Sequence, residues 1–302
     1  MEEAAEKKEA YFSKYLKLLL KIAVTVLCFW YISKKIDFYA AKDAFLKANW
    51  LWLLLAVILL ALSKLFSAFR LNIYFRNIHI QLAAWKNIKL YWLGMFYNLF
   101  LPGSISGDAY KVVLLKKKYQ AAYKKTSAAV LLDRFSGLLA LGLIMSVYGI
   151  IVLDKTLYDV LLAIGSAAAV AGLYLAVRFY FKDFLPGFWS TFMWGLLVQL
   201  TQVVCVYVIL LSLDMPVDQP QWIFIFLVAA VVAVFPVSLG GGLGTREVVF
   251  VEGAKYFHLN SQVALVVSLL FYLVTVIASI WGLYFVFHDP LEDDQKKRPA
   301  LR

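Results

Sequence analysis

Residues 51–62 read LWLLLAVILLAL, without a single polar side chain. The run does not alternate, so it cannot line a membrane barrel, whose strands switch between apolar and polar at every residue. It continues, with few polar residues, over residues 50–69, close to the ~20 residues that a helix needs to cross the hydrocarbon core. Backbone groups in that core must satisfy one another, which leaves a helix as the solution. Similar runs cover residues 16–32, 127–153, 157–177, 188–213 and 263–287, giving six full spans.

The rest of the composition follows from this reading. Of 302 residues, 63% are hydrophobic and 16% charged, against about 25% charged in soluble domains. The expected fold is an all-α polytopic membrane protein. Residues 1–15 form a charged cytoplasmic tail, 16–287 one transmembrane domain, and 288–302 a polar cytoplasmic tail. The first 15 residues are long and acidic for a cleaved signal peptide, and no small-residue cleavage site follows the apolar run. Cys28 and Cys205 lie inside apolar runs as small buried residues. His79, His258 and His288 lack ligand spacing, so no metal or other cofactor is expected.

Two apolar stretches are interrupted. Residues 90–101 are too short to span and lead into 101–108, LPGSISGD; residues 222–237 lead into 235–247, FPVSLGGGLGTRE. The basic segments 70–89, 111–125 and 178–182 belong in the cytoplasm by the positive-inside rule, and 154–159 and 214–218 outside. Both flanks of 90–108 then face the cytoplasm, and both flanks of 222–257 face outward. The simplest arrangement is two re-entrant helical hairpins entering from opposite faces, as in an inverted repeat. Residues 34–47 are the weak point, a basic loop placed outside; Arg70, Arg76, Lys86 and Lys89 read as an interfacial stretch.

The two tips share a pattern. Pro102, Ser104 and Gly107 match Pro236, Ser238 and Gly241 in spacing, and each tip precedes a helix that opens with a carboxylate and a cation: Asp108 with Lys111, Glu247 with Arg246. Paired interruptions in two halves point to a transporter with its site at the repeat interface. Breaks that only let helices pack closely give the same pattern, and the two readings stand side by side. Gly240, Gly241, Gly242 and Gly244 leave amides bare at a helix start, which attracts anions. No P-loop Lys-Ser/Thr pair follows, so a nucleotide site is not indicated. Asp108 and Lys111 share a helix face; Asp133 and Arg134 sit near the start of a long span, where ionisable groups mark either a substrate path or the interface. A carboxylate in a first helical turn also suits the helix dipole, so Asp108 and Glu247 read equally as helix-start charges. If both are ligands, Lys111, Arg134 and Arg246 would hold a phosphate while the carboxylates meet a cationic headgroup or a proton. The net charge of +11 fits cytoplasmic loops and anionic lipid heads rather than nucleic acid.

The segments PGSISGDAYK (102–111), DRFSGLL (133–139) and PVSLGGGLGTRE (236–247) together resemble the three signature segments of the lysylphosphatidylglycerol synthase transmembrane-domain family, the flippase-like domain proteins. The resemblance covers nearly the whole chain. It implies a helical bundle with re-entrant helices that moves polar lipids between leaflets of the cell membrane, with Ser104, Gly107, Asp108, Lys111, Asp133, Arg134, Ser238, Gly241, Gly242, Arg246 and Glu247 at the substrate. Pro102, Gly103, Pro236, Gly240 and Gly244 would act as hinges. Lys111 stands where the family often has arginine, Asp133 where it often has glutamate, and Ser106 where a second glycine is common. The short tail after residue 287 leaves no room for a synthase domain, so aminoacylation is expected to be absent. The expected function is translocation of a phospholipid or polyprenyl-linked lipid, anionic or headgroup-modified. The alternatives are an intramembrane enzyme acting on a lipid headgroup, for which Ser104 and Ser238 lack a neighbouring histidine, and a non-transporting scaffold. The lipid, the direction, the energy source and the oligomeric state, a homo-oligomer included, stay open.

Overall fold

A computed structural model describes residues 30, 38–100, 106–235 and 242–292, and every described element is helical. Apart from Trp30, the expected span 16–32 lies outside these residues. So do the tail 1–15, the tip residues Pro102, Gly103, Ser104, Pro236, Ser238, Gly240 and Gly241, and residues 293–302.

A short helix, α1 (Phe38–Lys47), leads into α2 (Trp50–Asn77). Residues 38–47 of the segment read as a basic loop are therefore a helix, and the Asn49 amide that follows it donates to the Ser212 carbonyl at 2.7 Å. This puts it at the same end of the bundle as Asp214. α2 starts where it does because the Asn49 side chain accepts from the Leu51 amide at 3.0 Å, satisfying a donor that the first turn leaves orphaned. Then come α3 (Ala84–Phe100), α4 (Ser106–Tyr119), α5 (Tyr123–Leu153), α6 (Thr156–Tyr180), a 3-10 turn (Lys182–Gly187) and α7 (Phe188–Ser212). The chain closes with α8 (Gln221–Val234), α9 (Thr245–Tyr256) and α10 (Ser261–Phe287), the last capped by Asn260 Oδ1, which accepts from the Gln262 and Val263 amides.

Five helical segments among the described residues are long and apolar enough to cross a membrane: α2, α5, α6, the 3-10 turn with α7, and α10. They differ in how much they hide. Over its most apolar stretch α10 is 56% buried inside the protein, whereas α6 is 6% buried and has Val177 as its one buried residue. In water such a helix would expose a large apolar face, which monomeric soluble proteins avoid; lipid is the solvent it suits. Exposed aromatic residues near helix ends, among them Trp50, Trp85, Tyr180, Trp189 and Tyr256, suit the two interfacial belts.

α3 and α4 lie side by side and antiparallel: the Gly107 amide donates to Asn98 Oδ1 at 2.9 Å and the Ser106 hydroxyl to the Tyr97 carbonyl at 2.8 Å. The approach is close enough to require glycine, because a Cβ on Gly107 would lie 2.0 Å from the Gly94 carbonyl oxygen. α8 and α9 form a second antiparallel pair, with Phe224 against Phe257 and Gly253 against Ile225.

Two apolar cores are stacked along the bundle. One gathers Leu53, Ala56, Leu60, Leu141, Trp222, Phe250 and Leu270. The other gathers Leu71, Phe75, Leu90, Leu115, Val130 and Phe188. Between them, α2 carries Ser63, Lys64, Ser67 and Arg70, and α5 carries Asp133, Arg134, Ser136 and Gly137. A polar layer is thus enclosed by apolar layers on both sides. It sits about 15–18 Å from the ends of α2 and α5 that carry Asn77 and Tyr123, at 1.5 Å per residue.

Candidate functional site

Arg70 is the residue that the sequence reading misplaced. It is not interfacial: α2 runs two turns beyond the expected end of the span, and Arg70 is buried there at 4% exposure. Its Nε donates to Asp133 Oδ1 at 2.7 Å, and both partners are enclosed. Space for the guanidinium comes from two glycines. A Cβ on Gly137 would stand 3.1 Å from Nη1, and one on Gly195 3.5 Å from the same atom. Burying a charge is tolerable only when it is paired and hydrogen-bonded, and Asp133 supplies that pairing from the neighbouring span.

Asp108 holds a second network. One carboxylate oxygen accepts from Lys111 Nζ at 2.9 Å and the other from Arg134 Nε. Lys111 is itself buried, with Nζ 4.3 Å from the centre of the Tyr91 ring. A Cβ at Gly94 would stand 2.2 Å from Lys111 Cε, so Gly94 is what lets the lysine lie flat between α3 and α4. Four of the expected site residues, Asp108, Lys111, Asp133 and Arg134, are brought together from two consecutive helices, α4 and α5.

These four line a cavity of about 320 Å³ with Lys64, Arg70, Tyr91, Asn98, Gly137, Gln199, Thr275 and Ser279. Ala233 and Val234, at the end of α8 that leads into the second tip, close one side. Both interrupted segments therefore border the same space. Among the described lining residues, four cations (Lys64, Arg70, Lys111, Arg134) face two carboxylates (Asp108, Asp133), an excess of two positive charges. Lys64 makes no hydrogen bond or ion pair among the described residues. Sequence reading missed Lys64, Asn98 and Gln199, although Ser63, Ser67 and Arg70 repeat at helical spacing within an apolar run and mark a polar face.

The second segment is built differently. Gly242 and Gly244 have φ of +86° and +89°, a region that L side chains avoid; a Cβ on Gly242 would also stand 2.7 Å from Ala233 Cβ. Glu247 is fully buried. One oxygen accepts from the Gly244 amide at 2.6 Å and the other from the Ser268 hydroxyl at 2.9 Å. It caps its own helix, the helix-start role that the sequence left open, and does not line the cavity. Arg246 is buried over the Phe271 ring at 4.6 Å, with Nε and Nη2 lacking a hydrogen-bond partner among the described residues. Gly107 joins the two helices of the first pair, as described, and is not itself in the cavity wall.

Among the described residues no group of three His, Cys, Asp or Glu stands close enough to hold a metal ion. Cys205 is a buried thiol whose Sγ donates to the Ala56 carbonyl at 3.3 Å.

Comparison with known proteins agrees with the architecture. The profile of the lysylphosphatidylglycerol synthase TM region matches residues 18–193 and 184–282. A UPF0104 membrane protein of Pyrococcus horikoshii is 23% identical over 171 residues, which is 56% of this chain. The match spans about half the length of that relative.

Proposed function

Because this chain belongs to the lysylphosphatidylglycerol synthase TM region family of multi-pass membrane proteins, we propose that it translocates a lipid with an anionic or headgroup-modified polar head between leaflets. The observation that carries this reading is the cationic cavity held between two apolar layers and bordered by both interrupted segments. Ionisable groups at such depth are costly and typically mark a substrate or ion path. The 90–108 and 222–257 segments are read as re-entrant hairpins from opposite faces, with Tyr91, Asn98 and Asp108 of one and Ala233 and Val234 of the other at the cavity. Discontinuous helices around a midplane site are the usual arrangement in transporters built from repeats.

In this reading the phosphate of the headgroup enters beside Lys64, which no carboxylate among the described residues pairs with. The Asp108–Lys111–Arg134 network opens to share its cations with the phosphate, while Arg70–Asp133 stays closed and holds α2 against α5. The basic end of the bundle, with Lys86, Lys116, Lys117, Lys118, Lys124 and Arg178, faces the cytoplasm, in the plasma membrane. No enzymatic step is assigned: both carboxylates of the cavity are taken up in ion pairs with Arg70, Lys111 and Arg134, and the described lining residues show no nucleophile and base oriented toward each other. A scaffold role would leave the two excess charges of a lipid-depth cavity without purpose.

The test is leaflet exchange of headgroup-labelled lipids in proteoliposomes, with protein-free vesicles as baseline. Phosphatidylglycerol, aminoacylated phosphatidylglycerol and a polyprenyl-phosphate sugar are compared, with wild type beside Arg246→Ala and Lys64→Ala. Exchange of one class, reduced in Lys64→Ala, is the expected result. Exchange of none by correctly folded wild type would remove the translocase reading.

A further inference from the structure

The cavity shares one wall residue, Leu138, with a second space of about 380 Å³ that is lined by Phe135, Leu138, Gly142, Leu161, Gly165 and neighbouring apolar residues of α5 and α6. The two helices meet at one end, where a Cβ on Gly149 would stand 2.9 Å from Leu162; toward the other, α6 packs through Tyr174 against Phe188 of α7. Between these contacts they part. Gly142 and Gly165 face nothing within 4 Å of an added Cβ, so small residues keep the groove open rather than letting side chains close it. Its wall on α6 belongs to the helix that hides least of itself inside the protein.

We propose that this groove holds a hydrocarbon chain of the same lipid whose head occupies the cavity, an inference that rests on the translocase reading. Three observations select that occupant. The groove is lined by apolar residues apart from Ser146, whose hydroxyl is spent on the Gly142 carbonyl, and Ser166, and it carries no charged group to hold a polar head. It adjoins the cationic cavity at Leu138, a wall residue of both, which sets an apolar space for a tail beside a charged space for an anionic head. Its length, from residues 135 to 146 on α5, is about 16 Å at 1.5 Å per residue, close to one leaflet's share of a hydrocarbon core of about 30 Å. The tail is then carried against protein during transfer instead of trailing freely in the bilayer.

The test uses phosphatidylglycerol bearing a diazirine midway along one acyl chain, with full-length protein in proteoliposomes. Photolabelled peptides are mapped and leaflet exchange of the same lipid is followed in parallel. The variants are Gly142→Leu with Gly165→Leu, which fill the groove, and Gly172→Leu, which also faces open space but lies outside the groove. Open surroundings at all three positions predict retained folding; wild-type labelling and Gly165→Leu alone decide the matter if the double variant does not fold. The expected result is label on residues of α5 and α6 facing the groove, at least tenfold less label in the double variant, a matching fall in exchange, and neither change in Gly172→Leu. Label in the groove without exchange by wild type upholds the tail site and removes the translocase reading. Exchange by wild type with no label in the groove, unaffected by the double variant, overturns the tail site and leaves the translocase reading standing. A groove covered instead by residues 16–32 or by a second copy gives no label there and overturns the proposal too.

Discussion

The two interrupted segments look alike in sequence and are built in opposite ways. At the first, the carboxylate that opens the helix, Asp108, faces the cavity and bridges Lys111 and Arg134. At the second, the corresponding carboxylate, Glu247, turns inward, with both oxygens taken by the Gly244 amide and the Ser268 hydroxyl. The cations differ in the same sense. Lys111 has an ion-pair partner and an aromatic ring, whereas Arg246 has the Phe271 ring and two buried nitrogens without partners among the described residues. The difference teaches that a carboxylate in a first helical turn has two uses that sequence spacing does not separate. It can neutralise a substrate path, or it can satisfy its own helix's orphan amides.

The strongest way to break this contrast is to remove charges on each side and compare folding. Asp133→Asn leaves Arg70 buried without a counter-charge, and removing one partner of a buried pair costs about 3–5 kcal/mol; thermal unfolding in detergent should show the largest loss of this set. Glu247→Ala removes the acceptor of two buried hydrogen bonds, and at about 1–3 kcal/mol for an orphaned donor its unfolding shift should be smaller, about 2–3 kcal/mol. A Glu247→Ala protein as stable as wild type would show that the cap is not what holds α9.

Glycine substitutions sharpen the comparison. Gly94→Ala drives a Cβ to 2.2 Å from Lys111 Cε, and Gly253→Ala one to 2.8 Å from Ile225 Cγ1. Each should cost about 1–3 kcal/mol for overpacking in the same unfolding assay. Only Gly94→Ala should also slow lipid exchange, because it pushes Lys111 off Asp108. Equal exchange defects would mean that both close approaches serve packing alone.

The smallest effect belongs to Asp289, outside the spans, whose carboxylate pairs with Lys118. Partial burial raises its pKa, but the hydrogen bonds from Lys118 and the Leu291 amide outweigh that and hold it below the ordinary carboxylate value. A depressed carboxylate contributes stability above its unfolded pKa and loses it as pH falls through the lower folded value. Asp289→Asn should therefore match wild type in strong acid and fall slightly below it near neutrality, read from unfolding midpoints across pH.

Much of the fold was legible because long apolar runs mean spanning helices whatever their neighbours are. Helix α1 was not, since Phe38–Lys47 is short and carries Lys42, Asp43 and Lys47 among few large apolar residues. Arg70 was misread for a related reason. A single-helix pattern shows a charge at the end of an apolar run, while the partner that makes it buriable, Asp133, lies 63 residues away. Asp108, Lys111, Asp133 and Arg134 could be named from the motifs, but their meeting depends on how α4 and α5 pack. The likeness of Glu247 to Asp108 went as far as type and spacing; only the position of Ser268 and the left-handed Gly244 distinguishes their roles.

The central claim is that the Asp108 network is the moving part and Glu247 is not. The direct test is the initial rate of leaflet exchange for Asp108→Asn and Glu247→Gln beside wild type, in proteoliposomes with matched amounts of folded protein. The account predicts a fall of about 10–100-fold for Asp108→Asn, from charge-assisted hydrogen bonds worth about 1.5–3 kcal/mol, and a rate within about threefold of wild type for Glu247→Gln, whose amide can still accept from Gly244. Wild-type exchange in Asp108→Asn, or an equal loss in both variants, would contradict it.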